Sequence, residues 1–234
     1  MSKKQRILVA IVDYKAGNLF SVEQACKIVG LNPVITSKPA EVLKADAVIL
    51  PGVGAFGEAM KNLSDLGLIQ PLKDFTASGK PFMGVCLGMQ LLFTKSEEFG
   101  ECKGLNLIEG DVVEFPSINY NDEKIKVPQV GWNRIFCPLG LNEKWNHTPL
   151  EDIMDGEFMY FVHSFYTRPS NPGDILSVTD YEGVKYCSSV IKNNIFATQF
   201  HPEKSAGEGL KIYRYWASKV AGFSAINEEL TWRN

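Results

Sequence analysis

Residues 80–93 read KPFMGVCLGMQLLF. Pro81–Val85 has the unbroken apolar character of a strand buried on both faces, and Leu87–Phe93 that of a helix. One residue, Cys86, must then turn the chain from the first to the second. So sharp a corner forces a strained backbone, and small neighbours are needed for it to close without collision; Gly84 and Gly88 supply them. A strand feeding a helix in this way is the unit of a parallel α/β sheet, whose functional groups gather at the carboxyl ends of the strands.

Working outward, the first half of the chain repeats this unit. Arg6–Asp13, Asn32–Thr36 and Asp46–Leu50 are predicted strands. A helix capped by Asn18 runs to about Val29 and is ended by Gly30, and another spans Ile69–Ser78. In the second half, Leu107–Phe115, Glu157–Thr167, Asp174–Asp180, Val184–Ile191 and Ile195–Phe200 read as strands joined by turn residues, before a closing amphipathic helix over Gly207–Val220. The fold expected is α/β: a mostly parallel central sheet flanked by helices, with antiparallel strand additions, as a single domain over residues 1–234. Ser117–Lys124 (SINYNDEK) is polar enough for a mobile loop.

Bulk properties narrow the partners. A chain of 234 residues, 45% hydrophobic, can bury a substantial core. No apolar run approaches the roughly 20 residues a bilayer requires, and the start, MSKKQRILVAIVDY, has no small-residue cleavage site, so no membrane association is expected. A net charge of −3 with scattered Lys and Arg gives no footprint for nucleic acid. Five cysteines without a C-x-x-C pair, and three histidines, argue against disulfides or a structural metal and fit a reducing, cytoplasmic setting.

A cysteine at such a corner projects into the cleft beside a helix N-terminus, whose partial positive charge favours thiolate over thiol. Cys86 is therefore the candidate nucleophile. A base is needed, and His201 suits best: it ends the strand-like ATQF and is followed by Pro-Glu. Glu203, two residues on, can face the same way and hold the imidazole in one tautomer, as the third member of a triad does. PGVGAFG (51–57) is a glycine-rich turn without the lysine or spacing of a phosphate loop. It fits an oxyanion hole made by the backbone N–H groups of Val53 and of Leu87.

PGVGAFG, GVCLGMQLLF and FHPEKS together resemble the class I glutamine amidotransferases. With KVPQVGWN (126–133), YFVHSFY (160–166) and ATQFHPEKS (197–205), the chain is further similar to the branch serving as glutaminase subunit of imidazole glycerol phosphate synthase. The resemblance runs from Arg6 to the closing helix. It implies that Cys86 attacks the side-chain amide of glutamine, that His201 protonates the departing ammonia, that a glutamyl thioester forms, and that water activated by His201 releases glutamate. It also implies that Gln90 holds substrate, with backbone groups around Gly52, Gly54, His163, Ser164 and Phe165 gripping its amino-acid end. No metal and no cofactor are implied.

The implied partner is a (βα)8-barrel cyclase subunit in a heterodimer. There the ammonia attacks phosphoribulosyl-formimino aminoimidazole carboxamide ribotide, giving imidazole glycerol phosphate and aminoimidazole carboxamide ribotide. Asn18, Trp132, Tyr160 and Lys204 match positions at or near that interface. A sealed passage is also a physical requirement, because ammonia released into water at neutral pH is protonated and loses its lone pair. The chain differs from the common pattern in having Gln129-Val130 where His-Met is usual, and in extra polar residues at 117–124 and 139–155. An alternative is the same glutaminase chemistry supplying a nucleotide-sugar amidating synthetase for surface glycans. Two further readings, a Cys-His peptidase or stress-response protein and a catalytically silent regulatory subunit, are disfavoured by Gln90 with the HPE segment and by the intact Cys86, His201 and Glu203 set.

Overall fold

The computed structural model describes residues 7–138 and 145–231. Arg6, and the part of the polar insertion at 139–144, lie outside them. Leu8–Val12 (β1) leads to Leu19–Ile28 (α1), where Asn18 caps the N-terminus by accepting from Ser21 N–H. Gly30, at φ +86°, ends the helix. Asn32–Thr36 (β2), Pro39–Lys44 (α2), Ala47–Gly52 (β3), Phe56–Asp65 (α3), Ile69–Ala77 (α4), Phe82–Cys86 (β4) and Leu87–Gln90 (α5) follow.

Strands β1 to β4 pair in parallel in the order β2-β1-β3-β4. Their side chains alternate between two cores. Val9, Ile11, Ile49 and Val85 pack with Val22 and Cys26 of α1 on one face, while Ala10, Val12, Val48, Leu50 and Phe82 meet α2, α3 and α4 on the other. Both faces are covered, which is why these strands are continuously apolar in sequence.

The remaining strands are Lys95–Ser96 (β5), Cys102–Lys103 (β6), Gly110–Glu114 (β7), Gln129–Ile135 (β8), Glu157–His163 (β9), Phe165–Pro169 (β10), Ile175–Tyr181 (β11), Val184–Lys192 (β12) and Ile195–Thr198 (β13). Strand β13 pairs in parallel with β4 and the sheet continues in the order β4-β13-β12-β10-β7-β5-β6 with β11 on β12, antiparallel at every step beyond β13 except β7-β5, which is parallel. The result is a mixed sheet, parallel at its centre with antiparallel strands added. The closing helix Ala206–Thr231 (α6) starts where expected and runs longer, packing Ile212, Tyr213 and Trp216 into the α1 face. No helix among the described residues is long and apolar enough to cross a membrane.

Two expectations are corrected. The single strand expected over Glu157–Thr167 breaks at Ser164: β9 pairs with β8 in a separate two-stranded sheet, and β10 joins the main one. The helix expected over Leu87–Phe93 is one turn long, because Leu91–Phe93 leave the helix and their carbonyls accept from Leu105, Leu107 and Asn106. Helices α2 and α3 and strand β8 have no counterpart in the sequence reading. Ser117–Lys124 is a loop closed by a turn: Asn119 N–H donates to the Glu123 carbonyl at 2.9 Å and its side chain receives Asn121 and Glu123 N–H.

Candidate active site

Cys86 is the last residue of β4 and the N-cap of α5, at φ +56°, ψ −113°. Positive φ is costly for a residue with a side chain and persists only where its surroundings fix it. Those surroundings are glycines. A Cβ on Gly88 would run into the Leu50 carbonyl, and one on Gly84 would meet Ala197 Cβ at 3.0 Å and the Gly88 carbonyl oxygen at 3.1 Å. Gly52 pairs with Cys86 across the sheet, and a Cβ there would overlap the Tyr14 hydroxyl. That hydroxyl donates to the Pro51 carbonyl at 2.8 Å, tying down the start of the glycine-rich turn.

The sulfur opens onto a cavity of about 300 Å³. Its wall brings together Val53, Gly54, Leu87, Gln90, His163, Ser164 and Phe165 of the expected set, and adds Glu98, Pro128 and Val162. Gly52 is not part of that wall; it is buried in β3, where its missing side chain makes room for Leu87. Leu87 is the first helical residue, so its N–H has no acceptor within the helix. With α5 only one turn long, the helix dipole is a smaller aid to a thiolate than the sequence suggested.

His201 and Glu203 lie behind the sulfur, their side chains only 3% and 1% exposed. Glu203 Oε1 accepts from His201 Nδ1 at 2.7 Å. Burial works against charge on the imidazole, but the negative charge of Cys86 and the bonded Glu203 carboxylate outweigh it and raise the pKa to about 10. The site therefore favours the charged, imidazolium form of His201. The sulfur acts on the ring by its charge and as a poorly aligned hydrogen-bond acceptor, and no well-aligned partner faces His201 Nε2 among the described residues. The sulfur's own contacts run to the Val162 carbonyl at 3.9 Å and to Gln199 Nε2 at 3.7 Å.

Ser164, where β9 gives way to β10, turns the chain along the cavity wall. His163 points back into the protein: Nδ1 bonds the Phe165 carbonyl at 2.8 Å, and Nε2 lies 3.2 Å from the Tyr186 hydroxyl, which also contacts Gln129 at 2.9 Å. Burial, partly offset by the Phe165 carbonyl and reinforced by the charge on His201, lowers its pKa to about 4. His163 is thus a neutral support. Gln129 serves the same buried network and does not line the cavity.

Three wall residues, Glu98, Pro128 and Val162, were not among the expected site residues. Glu98 accepts from Phe56 N–H at 2.6 Å, capping α3, and is the one carboxylate among the described residues lining the cavity. No motif marks it; only the tertiary fold carries the loop after β5 to this place. Val162, next to the expected His163, was missed because its contribution is a backbone carbonyl, which any residue could supply.

Outside the cavity, Trp132, 53% exposed, meets the edge of the Tyr160 ring at 6.1 Å, and Lys204 Nζ stands 5.7 Å over the same ring. Tyr160 is joined to the buried histidine, since its carbonyl accepts from His201 N–H at 2.9 Å. Asn18 is half-buried, with both polar ends engaged by Ser21. Helix α1 packs against the 202–204 turn that carries Glu203 and Lys204.

Comparison with known proteins bears on the family and the fold. The family model for glutamine amidotransferase class-I matches residues 10–215. A Geobacter metallireducens protein named imidazole glycerol phosphate synthase subunit HisH is 45% identical over 214 residues, covering 91% of this chain and 99% of that one. Imidazole glycerol phosphate synthase subunit HisH 1 of Legionella pneumophila is 46% identical over 205 residues, covering 87% and 95%. Among known structures, PurLQS from Thermotoga maritima superposes with a TM-score of 0.68 at 18% identity, covering 92% of this chain and 99% of that one. The glutaminase domain of Trypanosoma brucei CTPS gives 0.59 at 16%, covering 92% and 94%. The structural likenesses speak for the fold, and the matches in sequence fix the family: this chain belongs to the class I glutamine amidotransferases, in the branch of imidazole glycerol phosphate synthase HisH subunits.

Proposed function

We propose that the chain is the glutaminase subunit of an imidazole glycerol phosphate synthase, acting through Cys86, His201 and Glu203 and passing ammonia to a (βα)8-barrel cyclase subunit in a heterodimer. The observation that carries this is the corner itself: Cys86, at φ +56°, opens onto a cavity with the buried His201–Glu203 pair behind it. The names of the relatives support the acceptor.

In the first half-reaction the Cys86 thiolate attacks the amide carbon of glutamine. The carbonyl oxygen takes up negative charge, which the N–H groups of Val53 and Leu87 receive. His201 Nε2–H protonates the leaving nitrogen, the C–N bond breaks, and ammonia departs from a glutamyl thioester. His201, now neutral at Nε2, takes a proton from water as its oxygen attacks the thioester. The C–S bond breaks, glutamate leaves, and the thiolate and imidazolium are restored. Glu203 accepts from Nδ1 throughout, fixing the tautomer that presents Nε2 to the sulfur. In the cavity, Glu98 offers its carboxylate to the substrate ammonium group, and Gln90 and the backbone of Ser164 and Phe165 hold the rest. The Trp132, Tyr160 and Lys204 patch is the docking and gating face, linked to His201 by the hydrogen bond from His201 N–H to the Tyr160 carbonyl.

The test uses the chain with the cyclase partner and its ribotide. Cys86→Ala should abolish glutamine-dependent product formation and leave activity with added ammonium salt intact. Loss of both would remove the division of labour. Glutamate release stimulated by a sugar-nucleotide synthetase, and not by the cyclase, would overturn the acceptor.

A further inference from the structure

Gln199 sits between β13 and the His201 turn, fully buried, with its N–H donated to the Ser188 carbonyl at 2.9 Å. Its side-chain amide is engaged at both ends. Oε1 lies 3.0 Å from Gln90 Nε2, and Nε2 lies 3.7 Å from Cys86 Sγ. Gln90 Nε2 also donates to the Phe165 carbonyl at 2.9 Å.

The direction of this chain of bonds is forced. A main-chain carbonyl can only accept, so the end of Gln90 that faces Phe165 must be its NH₂. The same NH₂ faces Gln199, which must therefore present its oxygen there. The other end of Gln199, against the sulfur, must be its NH₂. Two amides whose orientation would otherwise be ambiguous are set by one backbone oxygen, and the last donor of the series ends on the sulfur.

We propose that Gln199 is a further member of the catalytic apparatus: its amide N–H donates to the Cys86 thiolate, and its oxygen locks Gln90 so that only Oε1 is left to meet a ligand. The inference rests on the glutaminase reading and adds to it a neutral donor for the sulfur. His201 can take the sulfur's proton; an amide cannot. Gln199 therefore holds negative charge at the sulfur without competing for the proton, both before attack and when the thioester C–S bond breaks and charge returns to sulfur.

The experiment is alkylation of Cys86 by iodoacetamide in the whole chain, read by peptide mass spectrometry against pH, for wild type, Gln199→Met and Gln199→Glu. Met keeps the bulk and removes both polar ends; Glu keeps the acceptor toward Gln90 and puts an oxygen against the sulfur. The other titratable groups around the sulfur stay in place: His201 with Glu203 behind it, Tyr14, and His163 and Glu98 on the cavity wall. Each variant should lose about tenfold in alkylation rate at neutral pH, the size of one charge-assisted hydrogen bond. Its rate profile should move to higher pH, while Cys102 keeps its rate. A purely structural role would leave that profile unmoved. Should Gln199→Met fail to fold, Gln199→Glu carries the test. A folded variant with the wild-type rate and profile overturns the proposal. If instead wild-type Cys86 reacts no faster than Cys102, and Cys86→Ala still hydrolyses glutamine, the glutaminase reading itself fails, whatever Gln199 does.

Discussion

The corner at Cys86 is set by atoms that are missing. Gly88 lies against the Leu50 carbonyl, a rigid neighbour, so Gly88→Ala should cost about 3 kcal/mol or more, the upper end for overpacking. Gly57, in α3, is the contrast: its added Cβ would meet only Cys102 Sγ, at 3.9 Å, so Gly57→Ala should be neutral or stabilise by up to about 1 kcal/mol. Chemical denaturation of the two variants checks both signs. Glu203 acts through the ring it holds. Glu203→Gln should leave the fold intact and lower kcat for glutamine toward the order of 10⁴ that loss of an orienting carboxylate costs such a triad, a fall that steady-state glutamate release would show. At this scale the sequence was most legible where residue type and spacing coincide, as in G-x-C-x-G and H-P-E. Glu98 and Gln199 were not legible, because what recruits each is a neighbour distant in sequence: Phe56 for one, Cys86 for the other.

Among the elements, α1 shows a local signal that held. Asn18 accepts from Ser21 N–H and, by the resemblance to the family, also matches a position at or near the partner interface. Asn18→Ala should lower stability by about 0.5–2 kcal/mol, whereas Asn18→Ser, which keeps a capping oxygen, should recover most of it. If both variants weaken the complex with the cyclase equally in a binding titration, the interface and capping roles separate. Helix α3 was missed because its apolar face begins inside a glycine-rich turn, and its cap is Glu98, 42 residues away. The strand predicted over Glu157–Thr167 is apolar and continuous, with nothing in its composition to mark a break. Strand β8 pulls its first half into a second sheet, and β7 pairs with the rest. That competition leaves Ser164 between them, on the cavity wall.

For the molecule as a whole, the two buried histidines make opposite demands on pH. The folded pKa of His163 is lowered to about 4, so its contribution is present above the unfolded value near 6.5 and is lost as pH falls from there toward 4. That of His201 is raised to about 10, so its contribution is full below about 6.5 and is lost as pH rises through 10. Stability should therefore weaken on both sides of neutrality. His163→Gln should flatten the acid limb by on the order of a few kcal/mol, as measured by denaturant midpoints across pH; an unchanged acid limb would mean that His163 takes up its proton in the folded state.

From the sequence alone came the alternation of strand and helix, the burial of the central strands on both faces, and the proposal of Cys86, His201 and Glu203 as a triad. These depend on local sterics and on the periodicity of apolar residues, both written along the chain. Only the tertiary structure decided that Gln199 reaches the sulfur, that Glu98 joins the cavity wall, and that His163 turns inward to Tyr186. Such contacts arise when strands far apart in sequence become neighbours in the sheet, and a hydrogen bond between them leaves no periodic trace in either segment.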